Sequence, residues 1–413
     1  MRFALPFRVF ALALACAFAL TSAGPLALAQ SRRTPPTQPQ KKNQRPGQHP
    51  ETTGDEGQKE ELPPDLVRQK PEKDEVVTVV ANLVNVDAVV YHKKSRQLVG
   101  NLTKANFALF EDGVQVPITN FSTPEAKLNV AVVIEFSKLT EGLGLAQTDG
   151  WDYGTREVIA PAAYFMQEAV QKGDYLSVVA FDMRPTPLTD FTNDPSRINQ
   201  VISILLRNRP AFRETNLFDA LKFTLVGGVG DSVVLEGGAD RKAEYAGLVS
   251  VQGRRRAVLL IASGIDTFSK INYDNARKIA QNAGIPIYVI GTGNMHYKRY
   301  EAQMSATDGL LGQPGRMTFQ QAANALNTFA KETGGAYFPV TFESEAPAAV
   351  ASINALMRHQ YSLGYNPGER RDGKKHKIEV RVDVNGDGQW DDKEYEVNHR
   401  QFYVAPAPEK AKS

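Results

Sequence analysis

The stretch LNVAVVIEF, Leu128 to Phe136, decides the fold of this 413-residue chain. It is a nearly unbroken apolar run, and a strand with no polar face is one covered on both sides. An amphipathic segment, TREVIAPAAYFMQEAVQKG, comes after it. The alternation then continues through DYLSVVAF, PSRINQVISILLRN, TNLFDALKFTL, RRAVLLIAS, NYDNARKIAQNAG, IPIYVIGTG, FQQAANALNTFAKETGG and AYFPV. Continuous strands separated by helices predict an α/β fold with a doubly wound, mostly parallel sheet of the Rossmann type. Ligands of such sheets bind at the carboxyl ends of the strands. Two departures, around residues 227 to 253 and 294 to 317, read as surface excursions placed where binding loops belong.

Outward from this core the pattern turns to short alternating strands. Between Val76 and Phe121 the residues Val84, Val86, Ala88 and Val90 fall at alternate positions, on one face of a strand, and Glu111-Asp112-Gly113 marks a turn. After a helical segment, SEAPAAVASINALMRHQ, similar strands return in YSLGYNPG, KKHKIEVRVDV and YEVNHRQFYVAP. Neither group is large enough to bury its apolar face alone. The expectation is therefore one antiparallel β-sandwich, split in sequence, with the α/β domain inserted between its halves. The boundaries read as 76–125 and 361–405 for the half-sandwiches, 126–343 for the α/β domain and 344–360 for a connecting helix.

The first 29 residues read as a secretory signal. Arg2 and Arg8 precede an apolar run from Val9 to Leu20, then Gly24-Pro25 and the small-x-small triplet Ala27-Leu28-Ala29. An uncleaved membrane anchor is the alternative; no other run approaches spanning length. Residues 30 to 75 read as a disordered tether, since Gln30 to Glu61 contains no Ala, Val, Ile, Leu, Met, Phe, Tyr or Trp. The lone cysteine, Cys16, lies in the signal, so the mature chain has no disulfide or thiolate site. Removal of Arg2 and Arg8 takes the 48 basic residues to 46, against 46 acidic ones. This balance calls for neither nucleic acid nor an anionic membrane.

The order of parts, with the segments VNVDAVVYHKKSRQLVGNLTKANFALFEDG, NVAVVIEFS, ETNLFDAL, AVLLIASGIDT, IPIYVIGTG and HQYSLGYNPG, resembles the von Willebrand factor A (VWA)-related proteins of acidobacteria across nearly all of residues 76 to 405. The resemblance implies a secreted VWA-domain protein that binds other proteins through a divalent cation. That cation site would take an Asp-x-Ser-x-Ser loop, a threonine and a later aspartate. Here the first loop offers Glu135 and Ser137, with Lys138 and Leu139 beside them. Thr215 matches, and Ser263 stands at the aspartate position, with Asp266 three residues on. With one carboxylate lost and one displaced, the site reads as degenerate and magnesium is not expected, because that ion tolerates misplaced ligands poorly.

Near the C-terminus, DVNGDGQWDDKE matches a twelve-position calcium loop: Asp383, Asn385, Asp387, Gln389 through its carbonyl, Asp391 and Glu394, with Gly388 at the sharp turn. The bland alternative is a hairpin turn built on Asn385-Gly386 or Asp387-Gly388. A hairpin gains nothing from five neighbouring carboxylates, so a structural calcium ion is the expectation.

None of the six histidines forms HExxH or a visible pair with a nucleophile motif. Gly291-Thr292-Gly293 lacks the third glycine of a phosphate loop and opens no clear helix. The reading is a non-enzymatic protein, exported to the periplasm or the extracellular space, that mediates protein–protein interaction or adhesion through its VWA-like loops. The alternative is a structural component of the envelope or an extracellular assembly that uses its sandwich strands. Partner identity and oligomeric state are not legible.

Overall fold

The computed structural model describes residues 83–138, 153–231, 242–251, 255–309, 313–368 and 370–406. The expected leader, 1–29, and tether, 30–75, lie outside them. The first strands are β1 (Val84–His92), β2 (Phe107–Glu111), β3 (Val114–Val116) and β4 (Asn120–Ser122). The α/β part then runs β5 (Leu128–Glu135), α1 (Tyr153–Gln171), β6 (Tyr175–Phe181), β7 (Pro185–Thr192), α2 (Pro195–Arg207), α3 (Leu217–Val226), β8 (Gly228–Asp231) and β9 (Lys242–Tyr245). It continues with β10 (Arg255–Ala262), α4 (Tyr273–Ala283), β11 (Ile287–Gly291), α5 (Gly293–Tyr300), α6 (Arg316–Thr333), β12 (Tyr337–Pro339) and α7 (Ala346–Arg358). The chain closes with β13 (Gln360–Tyr365), β14 (Lys375–Val382), β15 (Tyr395–His399) and β16 (Phe402–Val404).

The central sheet has the order β12-β11-β10-β5-β6-β7 and is parallel except for β7. Every residue of β5 is buried. Val130, Val132 and Ile134 face one helical layer, with α1, α2 and α7, while Ala131 and Val133 face the other, with α3, α4 and α6. That double coverage is why this strand reads as continuously apolar. A doubly wound, mostly parallel sheet is thus inserted in a split antiparallel sandwich. The sandwich sheets, β15-β1-β13-β4 and β16-β14-β2-β3, each draw strands from both ends of the chain. Val84, Val86, Ala88 and Val90 pack with Tyr361, Leu363, Ile378 and Val380 between them.

Several expectations are corrected. Pro185–Thr192 is an antiparallel edge strand that sequence reading passed over, since Pro185 and Pro187 mark it as a non-strand and prolines are tolerated only at such edges. The excursion after Val226 does not stay on the surface: Tyr245 is buried, stacks on Phe223 and bonds the Ser177 hydroxyl at 2.9 Å. Gly291-Thr292-Gly293 does open a helix, α5.

Two connections join the sandwich to the α/β part, and one side chain clasps both. The buried Arg255 donates to the carbonyls of Pro124 and Ala126 on the incoming connection, at 2.6 and 2.7 Å from Nη2. Its Nη1 donates to those of Met357 and Gln360 on the outgoing one, at 2.9 and 2.8 Å.

Candidate functional site

From β5 the chain runs outward to β6 and β7, then returns to β10 on the other side and goes on to β11 and β12. The crevice between β5 and β10 is therefore the point where strand order reverses, the usual place for a ligand in an open α/β sheet. Glu135 ends β5 and Ser263 follows β10, so the two face each other across it.

They are bonded to each other. Ser263 N–H and its hydroxyl donate to Glu135 Oε2 at 2.7 and 2.8 Å, and the Ser137 hydroxyl donates to Oε1 at 3.1 Å. All three residues are buried. Burial pushes the Glu135 carboxyl up to about 7, outweighing the hydrogen bonds from Ser263 and Ser137 that favour its charged form. The long glutamate side chain lets the carboxylate reach from the end of β5 to Ser263 after β10.

The buried Thr215 is brought to the same place but turned to the backbone: its hydroxyl donates to the Ile265 carbonyl at 2.7 Å. Asp266 does not join the group. Its Oδ1 accepts from the Ser269 hydroxyl at 2.5 Å and from Phe218 N–H at 3.4 Å, at the first turn of α3. Burial raises its pKa too, against those bonds. Two exposed aromatics rim the site on backbone tied to it: the Phe212 carbonyl accepts from Lys138 N–H, and Phe268 N–H donates to the Thr215 carbonyl.

The acidic loop is not in a hairpin. The strand before it, β14, pairs with β2 and β16, whereas β15 after it pairs with β1 in the other sheet. Asp383 to Glu394 therefore crosses from one sheet to the other at the sandwich edge, and the hairpin-turn alternative is set aside. The buried Asp383 organises it: Oδ1 accepts from Gly386 N–H at 2.7 Å and Asp387 N–H at 3.2 Å, and Oδ2 from Gly388 N–H at 2.8 Å. Gly386 and Gly388 adopt φ of 75° and 83°, a left-handed turn that glycine takes without strain. Asp387 Oδ1 accepts from Gln389 N–H, Asn385 Oδ1 from Asp387 N–H, and Asp391 Oδ2 from Val384 N–H, while Glu394 N–H bonds the Asp391 carbonyl. The donors are oxygen atoms of the kind calcium takes. Among the described residues, the group of three carboxylate or imidazole ligands within 4.8 Å of one another is Glu111, Asp112 and His376, outside this loop.

Sequence reasoning took Ser263 as a lost ligand and missed its role as the partner of Glu135. It read Glu111 and Asp112 as a turn and His376 as one of several isolated histidines. The strand register that joins β2 to β14 is the signal that would have found the cluster.

No protein-family model and no curated protein matches the chain. Solved structures do. Proximal thread matrix protein 1 from the mussel byssus is 12% identical, with a TM-score of 0.36, over 60% of this chain and 50% of its own, so the match spans half of that protein. An aerotolerance-related membrane protein from Bacteroides fragilis is 15% identical, with a TM-score of 0.35, over 56% of this chain and 98% of its own. The vWF domain of the type V pili tip protein Mfa5 from Porphyromonas gingivalis is 14% identical, with a TM-score of 0.35, over 57% and 96%. At such identities and scores no function carries over from them. Among the described residues no helix is long and apolar enough to cross a membrane.

Proposed function

We propose that this is an exported, non-enzymatic protein whose VWA-like domain binds a protein partner at the carboxyl end of its sheet without a metal ion there. The observation that carries this reading is the bond between Glu135 and Ser263, with Thr215 committed to the Ile265 carbonyl. The ligands that would hold magnesium are spent on one another, and the loops they fix present Phe212 and Phe268 to solvent. Exposed aromatics on a rigid rim are suited to anchoring a partner. In this reading residues 1–29 direct export and 30–75 tether the folded part. The Asp383–Glu394 loop holds a structural calcium ion through Asp383, Asn385, Asp387, the Gln389 carbonyl, Asp391 and Glu394.

The test is partner capture from the source envelope by immobilised wild type, by Phe212→Ala/Phe268→Ala and by Val114→Lys, which charges the exposed sandwich edge strand β3. Loss in the aromatic variant alone, unaffected by magnesium chelation, supports the reading. Loss in the Val114 variant alone favours a structural component that assembles through its sandwich.

A further inference from the structure

We propose that Glu111, Asp112 and His376 form a site for a divalent transition-metal ion of the zinc class, in which the Arg370 guanidinium is the resident cation that the metal displaces. The three ligand atoms lie within 4.8 Å of one another. His376 Nδ1 is 2.8 Å from Asp112 Oδ2 and 3.7 Å from Glu111 Oε1. Zinc bonds of about 2.0–2.2 Å at tetrahedral angles place neighbouring ligands roughly 3.4 Å apart, between those two values. One imidazole with carboxylates suits zinc and its neighbours rather than calcium, which takes oxygen ligands alone.

The supporting shell is present. His376 Nε2 lies 3.2 Å from Asp372 Oδ1, the carboxylate partner that fixes the ring of a metal-binding histidine. Asp112, at φ 51°, accepts Lys377 N–H on its other oxygen at 2.8 Å, which holds the turn against β14. Two ligands sit on paired strands, so the geometry does not depend on a loose loop.

Arg370 sits where the ion would. Its Nη1 is bonded to Glu111 Oε1, lies 3.0 Å from His376 Nδ1 and is 3.7 Å from Asp112 Oδ2. Its side chain is 42% exposed, against 8% for His376 and 5% for Glu111, so it can swing into water without moving a buried group. Glu111 and Asp112 come from the N-terminal half of the sandwich, and His376 and Asp372 from the C-terminal half. A bound ion would therefore tie the two halves together across the inserted domain.

The experiment titrates zinc into the chelator-treated full chain by calorimetry and melting. The wild type should bind one ion saturably, and Arg370→Ala should bind it about tenfold or more tightly, because no built-in cation competes. Asp372→Asn should weaken binding by about 10- to 100-fold, and His376→Gln should abolish it while leaving any response to calcium intact. If His376→Gln does not fold in chelator, Asp112→Asn on the half-exposed turn takes its place. Absence of saturable binding even in Arg370→Ala would make the cluster a permanent ion-pair network and overturn the proposal. Undiminished binding in His376→Gln or Asp112→Asn would place the zinc elsewhere and overturn it equally.

Discussion

Glu135 and Ser263, at the ends of adjacent strands, are joined directly across the switch point of the sheet, with Ser263 donating twice to one carboxylate oxygen at 2.7 and 2.8 Å. The two residues are complementary: one side chain is a methylene longer than aspartate and the other is a short hydroxyl that donates to it. Magnesium calorimetry should therefore show no saturable binding to the wild type. Glu135→Asp combined with Ser263→Asp shortens one acid and supplies a second, and should produce a magnesium isotherm that neither single change gives. Wild-type binding abolished by Glu135→Ala and Thr215→Ala would overturn this.

The same carboxyl makes stability depend on pH. Its folded pKa, about 7, lies above its ordinary 4.5 because burial disfavours the charge. Between those values the folded chain keeps a proton that the unfolded chain has lost. The contribution is full below 4.5 and is lost as pH rises through 7, on the order of 3 kcal/mol at most. Glu135→Gln carries no such proton. Its melting temperature should equal or exceed that of the wild type at pH 8 and fall behind it at pH 5. Parallel melting curves across this range would show that Glu135 does not titrate there.

What was legible in the sequence follows from where each signal is written. A strand covered on both faces records its position in its own residues, so β5 and β10 could be placed from sequence. The split sandwich was legible because Val84 to Val90 alternate and too few strands lie on either side to make a core alone. The edge strand β7 was hidden by its prolines. The Glu135–Ser263 bond spans 128 residues and the Asp112–His376 contact 264, so no local pattern records either. The ligand spacing of Asp383 to Glu394 was legible because it is local, whereas its place between two sheets was not, because pairing partners are not written in a loop.

Arg255 should be a stability determinant out of proportion to its single position. Burial lowers its pKa, yet its guanidinium is the donor for four carbonyls on the two connections between domains. Arg255→Met would leave those acceptors buried without partners, at a cost of roughly 3–5 kcal/mol. Arg255→Lys should recover little, since an ammonium cannot span both connections as a planar fork does. Denaturant unfolding measures the loss. Proteolysis near Pro124 and Gln360 should quicken in both variants, and a change below about 1 kcal/mol would reject the clasp.

Calcium should order the acidic loop. Asp383, Asp387, Asp391, Asp392 and Glu394 are close in sequence, and without an ion their like charges oppose the curl that Asp383 imposes through Gly386 and Gly388. An ion that binds only the folded chain stabilises it by mass action, by roughly 2.7 kcal/mol at about 100 times its dissociation constant. Because the loop joins the two sheets of the sandwich, that gain should appear in the main melting transition rather than as local stiffening alone. Glu394→Gln removes the bidentate carboxylate, so it should lose most of the calcium shift while melting near the wild type in chelator. Magnesium should substitute poorly, since it gives up its water reluctantly. Trp390, 39% exposed within the loop, reports the change directly through its emission. If millimolar calcium moves neither the melting temperature nor the Trp390 signal, the loop is a polar crossover held by its own hydrogen bonds.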